Sequence, residues 1–178
     1  MRRCERQRTT VRPDSQLLAI AFATLLTAAA PLSAQTLGLA APDFTLKTLA
    51  GDTATLSRLQ GRPVFLNFWA TWCGPCRVEM EEIASAYRAH AQEGLQVLAI
   101  DLTDQERKLN DVRKFADELQ MPFPVLLDEK GKVRKRYALR GVPTSVFIDA
   151  HGVVRLVNPG PITSETIQRG LAEILPAR

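Results

Sequence analysis

Apolar residues run from Val64 to Trp69 as Val-Phe-Leu-Asn-Phe-Trp, with Asn67 the one polar member. No polar alternation shows, so the run predicts a strand buried on both faces. Beyond Cys73 the period changes: Met80, Ile83, Ala84, Tyr87 and Ala91 recur at helical spacing, with Glu79, Glu81, Glu82 and Arg88 between them. A strand therefore passes straight into a helix. Residues 95–100 form a second continuous apolar stretch ending at Asp101, and strand, helix and strand together predict a βαβ unit. Upstream, residues 44–46 and 53–56 flank Ala50-Gly51-Asp52, which has the turn chemistry of a hairpin.

Downstream, Thr103 and Glu106 have capping-box spacing, and Leu109, Val112, Ala116 and Leu119 mark one face of the helix that follows. Met121-Pro122-Phe123-Pro124 stops it. Residues 125–127 predict a third strand, Asp128-Glu129-Lys130-Gly131 a turn, and residues 132–139 a short basic helix around Tyr137. Residues 145–148 and 153–157, joined by Asp149-Ala150-His151-Gly152, predict an antiparallel hairpin. Ile167, Leu171, Ile174 and Leu175 close the chain as an amphipathic helix that Ser164 is placed to cap.

At 178 residues the chain suits one domain, and no period of about 20 to 50 residues suggests a solenoid or propeller. Its beginning has a different character. Arginines at 2, 3, 6, 8 and 12 precede an apolar stretch, 17–30, broken only by Thr24 and Thr27. That is a basic n-region and an h-region, and Leu32-Ser33-Ala34 before Gln35 is a tolerable cleavage site. Residues 1–34 therefore read as a signal peptide. The alternative is an N-terminal membrane anchor, because no charged residue occurs between Ser15 and Pro42, long enough to cross a bilayer core of roughly 30 Å. Either way the domain at 42–178 is expected in the periplasm or at the extracytoplasmic face of the membrane, with 35–41 a flexible tether.

Without the leader the chain carries 18 basic against 17 acidic residues, so its sequence pI near 9.2 belongs largely to the targeting segment. Nucleic-acid binding has no support in that balance. Cys4 leaves with the leader, and Cys73 and Cys76 are then the remaining thiols. A bridge between them closes too small a ring to stabilise the fold much. Zinc would need His90 and His151 as further ligands, which stand in no ligand pattern, so no metal is expected. Two cysteines three apart at the start of a helix instead suit thiol–disulfide exchange: one thiolate attacks, and the other resolves the mixed disulfide. Cys73 precedes the helix and is the expected attacker, with the lower thiol pKa, while Cys76 lies one turn in and resolves. Pro75 sits where no N–H is needed, and Gly74 leaves the approach to Cys73 open.

Phe68-Trp69-Ala70-Thr71-Trp72-Cys73-Gly74-Pro75-Cys76 resembles the active site of the thioredoxin superfamily, and most closely its extracytoplasmic TlpA-like or ResA-like branch. The resemblance covers about residues 42–175. It implies an α/β thioredoxin fold with an N-terminal β-hairpin and a central inserted helix and strand, in one domain. It also implies that Gly141-Val142-Pro143-Thr144 is the loop whose cis-proline faces the cysteine pair, making Val142 and Pro143 substrate-binding; a trans proline opening a strand is the plainer reading. Trp72 is either a docking surface or an aromatic packed on the loop. Thioredoxins proper keep a buried acid where this chain has Asn67, so the proton acceptor for Cys76 must lie elsewhere. Glu79 and Glu81 are candidates, but solvated carboxylates near a helix start are the better reading, and Glu81 stands where many relatives have a kinking proline.

The implied activity is reduction of disulfides in periplasmic partner proteins, cytochrome c maturation among the settings, with electrons from a membrane donor and no cofactor beyond the Cys73–Cys76 disulfide. Two readings compete. One is a redox-inactive binding or chaperone-like module using the Pro143 face; the other is a peroxiredoxin-like peroxidase, whose Thr-x-x-Cys pattern fails because Gly74 stands three after Thr71. The basic run Lys130, Lys132, Arg134, Lys135, Arg136 and Arg140 is a solvated face, or a surface that steers an acidic partner.

Overall fold

In a computed structural model, described here for residues 37–176, the long apolar run becomes the centre of a seven-stranded sheet. The strands are β1 (Thr45–Thr48), β2 (Thr53–Thr55), β3 (Val64–Trp69), β4 (Gln96–Asp101), β5 (Val125–Leu127), β6 (Thr144–Ile148) and β7 (Val154–Pro159). The helices are α1 (Gly74–His90), α2 (Leu109–Glu118), α3 (Lys132–Arg136) and α4 (Ser164–Ile174). The sheet order is β2-β1-β5-β4-β3-β6-β7. β3 lies parallel to β4 and antiparallel to β6, with every residue buried. This is the thioredoxin fold with the N-terminal hairpin and the inserted α2–β5 unit.

Strand alternation sorts the core into two layers. Phe65 and Trp69 of β3, with Val97 and Ala99 of β4, face α1, α2 and α4. Val64, Leu66 and Phe68 face the opposite layer, where Val133 and Tyr137 pack with Phe44 and Leu56. Asn67 and Asp101 are on the first side by the same alternation, so two polar side chains sit in the layer that holds the cysteines.

Three local expectations change. The capping box at Thr103 and Glu106 does not form: residues 103–105 make one 3₁₀ turn, Glu106 is extended, and α2 starts after Lys108 with no side-chain cap. Tertiary partners claim both residues. Thr103 donates to Asp101, and Glu106 accepts from Thr71. At α4 the N-cap is Thr163, whose hydroxyl accepts from Thr166 N–H at 3.3 Å, while Ser164 donates to Glu82 instead. The expected tether is docked from Gly38 onward, because Gly38 N–H donates to Val154 O, Val154 N–H to Leu39 O and Ala41 N–H to Gly152 O, each at 2.8–2.9 Å. The leader at 1–34 lies outside the described residues, and among the described residues no helix is long and apolar enough to cross a membrane.

Candidate functional site

The first turn of α1 carries the cysteines because β3 ends at Trp69 and the chain turns through Ala70, Thr71 and Trp72 into the helix. Cys73 is the N-cap residue, and its sulfur accepts from Cys76 N–H at 3.2 Å. The two sulfurs are bonded, with an S–S distance of 2.03 Å. Pro75 occupies the start of the helix, where its missing N–H costs no hydrogen bond. A Cβ at Gly74 would meet nothing within 4 Å, so the space beside the disulfide is open. The expected difference in access is present but small in this oxidised form: Cys73 keeps 5 % of its surface and Cys76 none. Trp72, beside them, is 56 % exposed.

The Val142–Pro143 bond is cis. Antiparallel pairing sets Phe68 opposite Thr144, which brings Pro143 to the end of the sheet from which the cysteine loop leaves. Gly160 N–H donates to Pro143 O at 2.8 Å and Thr144 Oγ1 to Gly141 O at 2.8 Å, fixing the loop from two sides. Val142, half-buried, packs against both core layers.

The largest correction concerns Glu79. It is not solvated but 3 % exposed, on the α1 face that also carries Cys76, Met80 and Ile83. Asn67 Nδ2 donates to its Oε1 at 2.8 Å and Ile162 N–H to its Oε2 at 3.0 Å. Burial pushes the carboxyl up to about 6, against the lowering effect of those two hydrogen bonds. Asn67 also donates to Ser145 Oγ at 3.2 Å, so β3, β6, α1 and the start of the α4 segment meet at one buried carboxyl. A buried carboxyl thus stands on the helix one turn beyond Cys76, hydrogen-bonded to the asparagine of β3. The spacing Cys76, Glu79, Met80, Ile83 is a helical core stripe, and a carboxyl interrupting it opposite a buried asparagine is the signal that identifies Glu79.

Glu81 pairs with Arg88 at 2.7 Å in solvent, and α1 continues unbroken past it. Arg77 lies over the Phe115 ring at 4.5 Å and pairs with Glu118 at 3.0 Å, so its charge is directed at α2. In the basic run, Arg134 is bound to Asp104 at 2.8 Å and Arg136 donates to Asp43 O, which makes them scaffold contacts; Lys130, Lys132, Lys135 and Arg140 are exposed.

The family model described as "AhpC/TSA family" matches residues 37–157. The chain is 39 % identical over 134 residues to the thioredoxin-like protein YneN of Bacillus subtilis, covering 75 % of this chain and 78 % of that protein. It is 38 % identical over 144 residues to the thiol-disulfide oxidoreductase ResA of Geobacillus kaustophilus, covering 81 % of each. The crystal structure of StoA from Bacillus subtilis superposes with a TM-score of 0.65 at 28 % identity, over 73 % of this chain and 96 % of that one.

Proposed function

Since this chain belongs to the AhpC/TSA family of thioredoxin-like proteins and is a thiol–disulfide oxidoreductase, we propose that it reduces disulfides of exported partner proteins through Cys73 and Cys76. The observation that carries the reading is the placement of the pair, closed as a disulfide at the first turn of α1 with a buried carboxyl one turn further along. The domain works in the periplasm or at the extracytoplasmic face of the membrane, delivered there by residues 1–34.

In the reduced form the first-turn amides of α1 favour a thiolate on Cys73, as the Cys76 N–H already directed at its sulfur illustrates. That thiolate attacks one sulfur of a partner disulfide, forming a mixed disulfide and releasing the second partner sulfur as a thiolate. Cys76 transfers its proton to Glu79, which is ionised at neutral pH, and its thiolate attacks the Cys73 sulfur. The internal disulfide re-forms and the remaining partner sulfur leaves as a thiolate. Two electrons pass to the partner, whose thiolates take up protons from solvent and from Glu79. Exposed Trp72, beside Cys73, and the Val142–Pro143 loop, brought to the same end of the sheet by the pairing of Phe68 with Thr144, are assigned to receive the partner chain. The disulfide is itself the redox group, with no metal or organic cofactor, and a membrane donor must restore its two electrons after each turnover. Partners with paired cysteines, such as the haem-attachment thiols of an apocytochrome c, fit this chemistry.

The direction follows from what stabilises the thiolate. Gly74 and Pro75 add no charge between the cysteines, Arg77 is committed to Glu118, and the nearby buried group is an acid. The helix terminus alone favours the anion, so the disulfide is comparatively stable and the dithiol is a reductant. Equilibration with glutathione tests this: in a buffer poised as oxidising as the periplasm the pair is expected to be oxidised, and a pair that stays reduced would show an oxidant.

A further inference from the structure

Thr71, two residues before Cys73, is held by a group that the exchange chemistry does not use. Glu106 Oε1 accepts from Thr71 N–H at 2.6 Å and its Oε2 from Thr71 Oγ1 at 2.5 Å. The same carboxyl lies within hydrogen-bonding reach of Asp101, which is fully buried where β4 ends opposite Trp69. Asp101 Oδ1 accepts from Thr103 Oγ1 at 2.7 Å, and its Oδ2 has no donor among the described residues.

Two touching carboxyls in a desolvated site are not both ionised at neutral pH. Glu106, with an N–H and an O–H donating to it, is suited to carry the charge. Asp101 is suited to carry the proton: burial holds its carboxyl well above the usual range, the Thr103 hydrogen bond opposes this, and the carboxylates of Glu106 and Asp104 add to it. A proton on Asp101 lets its carboxyl donate to Glu106. The other charged groups packed around it are already engaged. Asp128 N–H donates to Asp101 O at 3.1 Å, the Asp128 carboxylate accepts from Val133 and Arg134 N–H, and the Arg134 guanidinium is bound to Asp104.

We propose that Asp101 and Glu106 act as one hydrogen-bonded acid pair that positions the loop presenting Cys73, Asp101 fixing Glu106 and Glu106 holding both polar groups of Thr71. The loop is short, and among the described residues its other ties are two backbone bonds, Leu102 N–H to Trp69 O at 3.0 Å and Cys73 N–H to Ala70 O at 3.2 Å. Residues 70–72 therefore depend on Glu106 for their registration over the end of β4, and with them the angle at which the Cys73 sulfur meets an incoming disulfide. Asp101 and Glu106 are positioning residues; neither touches the reacting sulfurs. The inference rests on Cys73 as the attacking thiol for its effect on rate, but the clamp itself does not.

The test is the Thr71 amide in the full domain, followed by NMR hydrogen exchange, with disulfide-exchange rates measured on the same samples. In the unaltered protein the amide is expected to be protected, and its signal to move at alkaline pH as Asp101 ionises and the two carboxylates repel. In Asp101→Asn the amide nitrogen of the new side chain donates at every pH, so protection should persist and the alkaline movement should vanish. In Glu106→Gln protection should fall and kcat/KM for a partner disulfide should drop about tenfold. A Thr71 amide that stays protected in Glu106→Gln, or an alkaline movement that survives in Asp101→Asn, would overturn the acid pair. An unprotected amide with an unchanged kcat/KM would overturn the positioning role, whichever cysteine attacks.

Discussion

Replacing Cys76 by serine is expected to stop turnover and leave the partner covalently attached to Cys73. The serine hydroxyl is not ionised at neutral pH and cannot displace a sulfur from the mixed disulfide, so the first half of the exchange proceeds and the second does not. Turnover should fall by about a thousandfold or more, with one partner equivalent bound per chain. Cys73→Ser should show a similar loss and no adduct, because the sulfur that remains is the shielded one. Intact mass under non-reducing conditions reads both outcomes, and an adduct on Cys76 in the Cys73→Ser protein would reverse the roles.

Glu79→Gln is the second large effect, because an amide cannot take the proton that Cys76 must lose. General-base assistance is worth about a hundredfold or more, and a loss of that size is expected in the step that releases the partner. The unaltered protein should show a rate that rises with pH through about 6 as Glu79 ionises, and the variant should lack that limb. Stability provides an independent reading. The folded carboxyl binds its proton more tightly than the unfolded one, whose reference value is 4.5, so the folded state holds more protons between 4.5 and about 6. The contribution of Glu79 to stability is then fully present below that window and falls by about 2 kcal/mol as pH rises through it. Denaturant titrations across the window should show the slope in the unaltered protein and its loss in Glu79→Gln. An unchanged slope would place the titrating group elsewhere.

The sheet was legible because its strands are apolar runs: 64–69 and 95–100 read directly as the buried pair β3 and β4, and turn residues marked both hairpins. Resemblance supplied what periodicity cannot, the expected cis bond at Pro143, and pairing of Phe68 with Thr144 places that residue at the end of the sheet from which the cysteine loop leaves. What was not legible shares one physical cause. Glu79, Glu106 and Thr103 each have a local reading as helix-start polar residues, and each is claimed by a buried or part-buried group instead: Glu79 by Asn67 and Ile162 and Glu106 by Thr71, all distant in sequence, and Thr103 by Asp101 two residues back, through a turn that replaces the expected cap. Local propensity assigns a polar side chain to the nearest backbone, whereas a buried one goes wherever the core leaves an unpaired donor.

The short stretch before the hairpin guards one edge of the sheet. β7 is the last strand of the sheet and would offer its outer backbone groups to any extended chain. Residues 38–41 occupy those groups at one end, around Val153 and Val154, and Pro159 has no N–H to offer at the other. Between them Arg155 holds a charge bound to Asp149 at 2.6 Å. An extended chain that would add as a further strand therefore finds the start of this edge already paired and no donor at Pro159.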